Sequence, residues 1–173
     1  MHKNWQKALV TARKGAVRWH WQQKEQRLKQ AEESALATLK LFNTSDVAVQ
    51  EVALALLYLG ERTKKNPETG MGSSDPTILQ FFIHCLMHIY SVPRRDIRCE
   101  LHLRADQNPK KLIVYWSKKL QLPNDNFYKP HLDKRTSSKR TYADYRGVCL
   151  VRCGRVEIQR KLVYIARHFC TQT

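Results

Sequence analysis

The sequence predicts an α+β protein, with helices on one face of a curved antiparallel sheet and a basic helical arm in front of it. Three observations carry this. After residue 43, segments with apolar residues at helical spacing alternate with short segments of period two. Before it lies a stretch with no proline, one glycine and strong helix formers throughout. Finally, 42% hydrophobic residues with six glycines and six prolines exclude a disordered or fibrous chain, and 173 residues suffice to bury a core. The expected division is an arm over 1–42 and one domain over 43–173. No apolar run reaches the ~18 residues of a membrane span. The start, MHKNWQKALVTARKG, lacks the apolar stretch of a secretory signal. A cytoplasmic protein is expected.

Charge narrows the partner. The formal net charge is +16, from 31 Lys and Arg against 15 Asp and Glu. Residues 1–40 contribute +6, residues 41–93 contribute −2 and residues 94–173 contribute +12. Two cationic ends flanking a neutral middle are the footprint of a protein that grips a polyanion. A basic RNA- or ribosome-binding protein fits the same numbers.

Each element has a local reason. In the arm, Trp5, Trp19 and Trp21 interleave with Lys3, Lys7, Arg13, Lys14, Arg18 and Lys24, so the indoles either stack on nucleic acid or pack on the protein. Ser45 or Asp46 caps a helix running to Gly60, DVAVQEVALALLYLG, which is apolar almost all round and so calls for burial on nearly every side. KNPETGMG reads as a turn between two short strands. Asp75-Pro76 starts the helix PTILQFFIHCLMHIYSV, stopped by Pro93. IRCELHLR alternates, with Ile97, Cys99, Leu101 and Leu103 inward and Arg98, Glu100, His102 and Arg104 outward. Asn108-Pro109 opens a helix through residue 122. A basic loop carries Lys129, Lys134, Arg135, Lys139 and Arg140. YRGVCLVRCGR alternates again, with Val148, Leu150 and Cys153 read as inward and Arg146, Cys149 and Arg152 as outward. VEIQRKLVYIARHFC is the last helix.

The five cysteines form no CxxC pair, and the expectation is reduced, mostly buried thiols. His84 and His88 stand one turn apart, but neither a third ligand nor an HExxH glutamate accompanies them, so core or surface histidines are the simpler reading.

The stretch Ala53–Glu61, ALALLYLGE, resembles the LAGLIDADG helix of homing endonucleases. Leu54, Ala55 and Leu57 match identically, Gly60 takes a small-residue position and Glu61 takes the terminal metal-binding acid. Leu59 stands in place of the motif's first acid and Arg62 in place of its last glycine. LYLGERTK, GSSDPTILQFF and YWSKKLQLP with its following F-Y-K-P resemble a family of small, single-motif bacterial LAGLIDADG-like proteins, over roughly residues 46–169. The resemblance implies an α-β-β-α-β-β-α core with an inserted helix at 109–122. It implies a homodimer through helix 47–60 and a pseudo-palindromic duplex DNA target. It also implies Mg²⁺ held by Glu61 of each subunit for phosphodiester hydrolysis, with Lys64 as a second catalytic group. Arg62, Lys65, Arg98, His102, Arg104, Arg146, Arg152, the loop cations and Arg13, Lys14 and Arg18 are the candidate DNA contacts. A non-catalytic DNA-binding protein on the same fold is the alternative. Asp75 is a further acid, for which helix capping is the simpler role.

Overall fold

The computed structural model describes residues 2–61, 68–138 and 140–172. The chain divides into two units, Met1–Thr44 and Ser45–Thr173.

The first unit is one helix, α1 (His2–Leu39), closed by a turn at residues 40–42. Among its described side chains none is buried: Trp5, Trp19, Trp21 and Leu28 are each at least half exposed.

The second unit opens with α2 (Val47–Glu61). Asp46 caps it, its Oδ1 accepting from the amides of Ala48 at 2.8 Å and Val49 at 3.1 Å. There follow β1 (Thr69–Ser73), α3 (Pro76–His88), β2 (Arg98–Arg104), α4 (Pro109–Leu120), β3 (His131–Asp133), β4 (Val148–Cys153) and α5 (Val156–Gln172). Asp75 caps α3 by accepting from the Thr77 amide at 2.8 Å, and Asn108 caps α4 by accepting from the Lys111 amide at 3.1 Å. In both, proline supplies the first helical residue, where a missing N–H costs nothing. Of the turn expected over residues 65–72, residues 65–67 lie outside the described residues, while residues 69–72 are not a turn but part of β1, where their amides and carbonyls pair with β4.

The sheet order is β1-β4-β2-β3. β1, β4 and β2 pair antiparallel, but β3 pairs parallel to β2, so the sheet is mixed and not wholly antiparallel. Entering parallel requires a crossover, and α4 with its following loop provides it.

Helices cover one sheet face. Cys99, Leu101 and Leu103 of β2, Met71 of β1 and Val151 of β4 pack beneath Leu54, Ala55 and Tyr58 of α2, Leu79, Phe82 and Leu86 of α3, Trp116 of α4 and Leu162 of α5. In β4 Arg152 faces outward and Cys153 is buried as expected, but the three residues 148–150 are reversed: Cys149 is buried along with Val151, while Val148 and Leu150 face outward. A one-residue change of register flips every side chain, and in this strand both parities offer apolar residues. Gly147, at φ +77°, turns the chain into β4; a Cβ there would sit 2.9 Å from the His102 carbonyl oxygen and against Leu103 Cδ2.

α2 is less enclosed than its composition suggests. Leu54, Ala55 and Tyr58 are buried, and Glu51 accepts from Tyr90 Oη at 2.7 Å and from Lys161 Nζ at 2.5 Å, tying α2 to α3 and α5. Ala53, Leu56 and Gly60 are exposed, with Val49 and Val52 half-buried beside them. All five cysteines are thiols; only Cys170 is exposed. Burial pushes the Cys85 thiol up to about 11, with the Glu51 charge adding to it.

Candidate nucleic-acid interface

The outer sheet face is built by strand alternation. Once Cys99, Leu101 and Leu103 point at the helices, Arg98, Glu100, His102 and Arg104 must point away. The pairing sets His102 beside Val148 and His131, Glu100 beside Leu150, and Arg98 beside Arg152. His102 and His131 lie with ring centroids 5.6 Å apart. β3 thus brings His131 and Asp133 into the group, two residues that the sequence pattern had not singled out.

The face is ion-paired as well as basic. Arg152 lies between two carboxylates, with Nη1 at 3.3 Å from Glu68 and Nη2 at 2.5 Å from Glu100. Its Nε is buried without a hydrogen-bond partner among the described residues. Glu100 also approaches His102 Nε2 at 3.3 Å. Removing either acid would leave a partly buried guanidinium short of a partner. Arg98 donates to the carbonyl of Arg95 at 2.5 Å, which holds it along the edge of the face.

Beside this face is a cleft of about 280 Å³, lined among others by His102, Arg104, His131, Asp133, Arg135 and Tyr145. Arg135 makes a bidentate contact to Asp133, from Nε at 2.9 Å and Nη2 at 3.1 Å. The Arg135 hydrogen bond and a backbone amide hold the Asp133 carboxyl below its ordinary range. Lys129, Lys134 and Arg140 are exposed. Asp106 fixes the loop that follows, accepting from the Thr141 amide at 2.7 Å and from the Thr141 hydroxyl, which holds the carboxyl below its ordinary range. Arg146 is placed apart from the sheet face: its guanidinium lies 5.9 Å from the Tyr115 ring centre, and its carbonyl accepts from Trp116 Nε1 at 2.9 Å.

In the first unit, Arg13, Lys14 and Arg18 line a shallow groove on α1 with Val10 and Val17. Glu61 is the last residue of α2 and is exposed. Arg62, Lys64, Lys65 and Lys139 lie outside the described residues. His84 and His88 approach with ring centroids 4.3 Å apart on an exposed turn of α3. Among the described residues no three His, Cys, Asp or Glu side chains converge as a metal-binding group.

The class that these features define is an α+β domain whose helices cover one face of a mixed sheet, with a basic helix as a further unit of the chain. No family model, curated protein or solved structure matches the chain. No helix among the described residues is long and apolar enough to cross a membrane.

Proposed function

We propose that this chain is a double-stranded DNA-binding protein of the LAGLIDADG homing-endonuclease type, acting as a homodimer through α2 on a pseudo-palindromic site. The observation that carries the DNA reading is the charged outward row of the sheet, Arg98, Glu100, His102, Arg104 and Arg152, together with the exposed cations of the loop that follows. Two kinds of contact fall to two sets of residues. Lys129, Lys134 and Arg140 are exposed and suit phosphates, whose contacts position a protein without reading sequence. The sheet face mixes guanidiniums, imidazoles and carboxylates held in fixed pairs. Such a mixture suits base edges, where guanine offers acceptors to Arg and cytosine offers a donor to Glu.

The homodimer rests on the exposed apolar strip of α2, Ala53, Leu56 and Gly60, which a second copy of the same helix would cover. Under that symmetry one Glu61 from each subunit meets at the paired helix tips.

Cleavage is the second reading, and the exposure of Glu61 at the end of α2 favours it. Two such carboxylates are hard oxygen donors of the kind Mg²⁺ takes, and the ion when bound polarises a phosphoryl oxygen and activates water. Within that reading Glu61 holds the ion and Lys64 stabilises charge near the scissile phosphate. Without cleavage, the same face and dimer describe a regulatory binder.

One experiment tests both: binding and cutting of a random 30-bp duplex library, with Mg²⁺ and with a chelator, at ~50 and ~200 mM salt. Neutralising six or more phosphates predicts an affinity loss of about a thousandfold or more across that range. A flat salt response, or equal preference for structured RNA, would refute the DNA reading. If the protein cuts, Glu61→Gln abolishes cutting and leaves binding nearly intact. A wild type that cuts nothing in the pool removes the nuclease reading and leaves the binder.

A further inference from the structure

α1 carries a feature that the sheet-based reading does not use. At 100° per residue, Val10, Val17, Trp21, Leu28, Ala35 and Leu39 fall within an arc of roughly 40°. The five larger side chains of that strip are each 50–64% exposed. A helix of 38 residues with an apolar strip along it gains little stability alone, since most helical stability comes from packing such a strip.

The charges beside the strip say what covers it. Between residues 20 and 36, one flank carries His20 and Arg27, and the other carries Glu25 and Glu32, with Lys29 further round; Lys24 borders the strip itself, a single polar seam residue of the kind that fixes register at a cost in stability. In a parallel pair of identical helices, the cationic flank of each copy meets the acidic flank of the other, and the five-residue offsets His20 to Glu25 and Arg27 to Glu32 are those of facing coiled-coil positions. In an antiparallel pair like flanks would meet, cation to cation and acid to acid. Further towards the N-terminus the pattern changes: Arg13, Lys14 and Arg18 occupy both flanks, and no acid precedes Glu25.

We infer that α1 pairs in parallel with α1 of a second copy over residues 20–39, and that the two cationic N-terminal halves diverge and close only on a polyanion. The last clause rests on the nucleic-acid reading above; the pairing does not. It is also separate from pairing through α2. The partner is a second copy of this chain, and the anion fitting the fork is duplex DNA, whose phosphates relieve the repulsion between the two basic halves.

The test is cross-linking of the full chain in a Cys170→Ser background, which removes the exposed native thiol. Leu28→Cys lies on the strip and Glu33→Cys lies on the far side, and both positions are exposed, so neither substitution disturbs a core. Oxidation should join Leu28→Cys copies in high yield and leave Glu33→Cys copies single. Equal yields at both positions, or none at residue 28, would overturn the pairing. In sedimentation, Arg27→Glu should weaken self-association by roughly tenfold, and Arg27→Glu with Glu32→Arg should restore it; no loss, or loss without rescue, overturns it too. Leu56→Ala should leave the residue-28 cross-link intact, and its disappearance there would show that α1 does not pair by itself. A 30-bp duplex should raise the cross-linking yield; indifference to the duplex, with the cross-link still forming, would sink the nucleic-acid reading and leave the pairing standing.

Discussion

Truncating Leu56 to alanine separates the α2 dimer from a merely exposed helix. Burying a whole leucine side chain gives about 1.5–3 kcal/mol. Leu56 is 37% exposed, so pairing has only about a third of that left to gain, roughly 0.5–1 kcal/mol in each copy. A two-fold interface uses the side chain twice, which brings the expected loss to about 1–2 kcal/mol, or roughly 5–30-fold in the dimer dissociation constant. The fold should lose less than from a core truncation, about 1–2 kcal/mol, because it already covers the other two-thirds of Leu56 and alanine is a good helix former. Leu54→Ala is the control: Leu54 is fully buried, and its loss should cost about 2–5 kcal/mol of folding stability. Sedimentation equilibrium gives the association constant and thermal denaturation gives the stability. A wild type with no self-association attributable to α2, or a Leu56→Ala variant that loses as much stability as Leu54→Ala with its association unchanged, would refute the reasoning.

Other perturbations address the fold and the interface. Gly147→Ala forces a β-carbon into positive φ and against the His102 carbonyl, so it should destabilise by about 2–4 kcal/mol, seen as a lower denaturation midpoint; an unchanged midpoint would mean the turn can relax. Burial raises the Glu51 carboxyl, but Lys161 and the Tyr90 hydroxyl outweigh it and hold the group below its ordinary value of 4.5. Its contribution is therefore present above about pH 4.5 and lost as pH falls through the lower folded value, and Glu51→Gln should flatten the acid side of the stability–pH curve. An unaltered acid limb would show that other carboxylates set it. Lys134→Ala should weaken DNA binding about equally for all sequences and lower the salt slope by about one; a change confined to one sequence would place Lys134 on a base.

Helix starts were legible because their signals are local. Asp75-Pro76 and Asn108-Pro109 each place a side-chain acceptor one residue before a proline, and both cap as read. β2 was legible because charged and apolar residues alternate without a break. β4 was not, since VCLV reads as apolar on both parities and only Arg152 marks a face. β3 is three residues long and exists because His131, Leu132 and Asp133 find register with His102, Leu103 and Arg104. No local pattern in HLD announces that. The candidate site divides the same way. The outward row on β2 follows from alternation, but the carboxylates that hold Arg152 come from Glu68, 84 residues away, and Glu100, 52 residues away. Spacing in the chain cannot encode such a pairing.

That pairing changes what the net charge means. Residues 45–173 carry 22 basic and 12 acidic side chains, a net of +10, yet Arg152 is held by Glu68 and Glu100, and Arg135 by Asp133. The excess cations of these residues lie on the exposed loop and on the helices rather than across the sheet, and the N-terminal half of α1 adds its own. On the DNA-binding proposal, a protein built this way would draw its affinity from one set of residues and its discrimination from another. The fixed ion pairs limit how far a face side chain can shift to suit a wrong base, because leaving Glu68 or Glu100 strands a charge. The lysines, long and solvated, would follow a phosphate wherever a bound duplex placed it. Selection for a new target would then act on β2 and β4, and selection for tighter binding would act on the loop and α1. The two would be separable in one chain because the strands that carry the face are held by a core that neither set of residues enters.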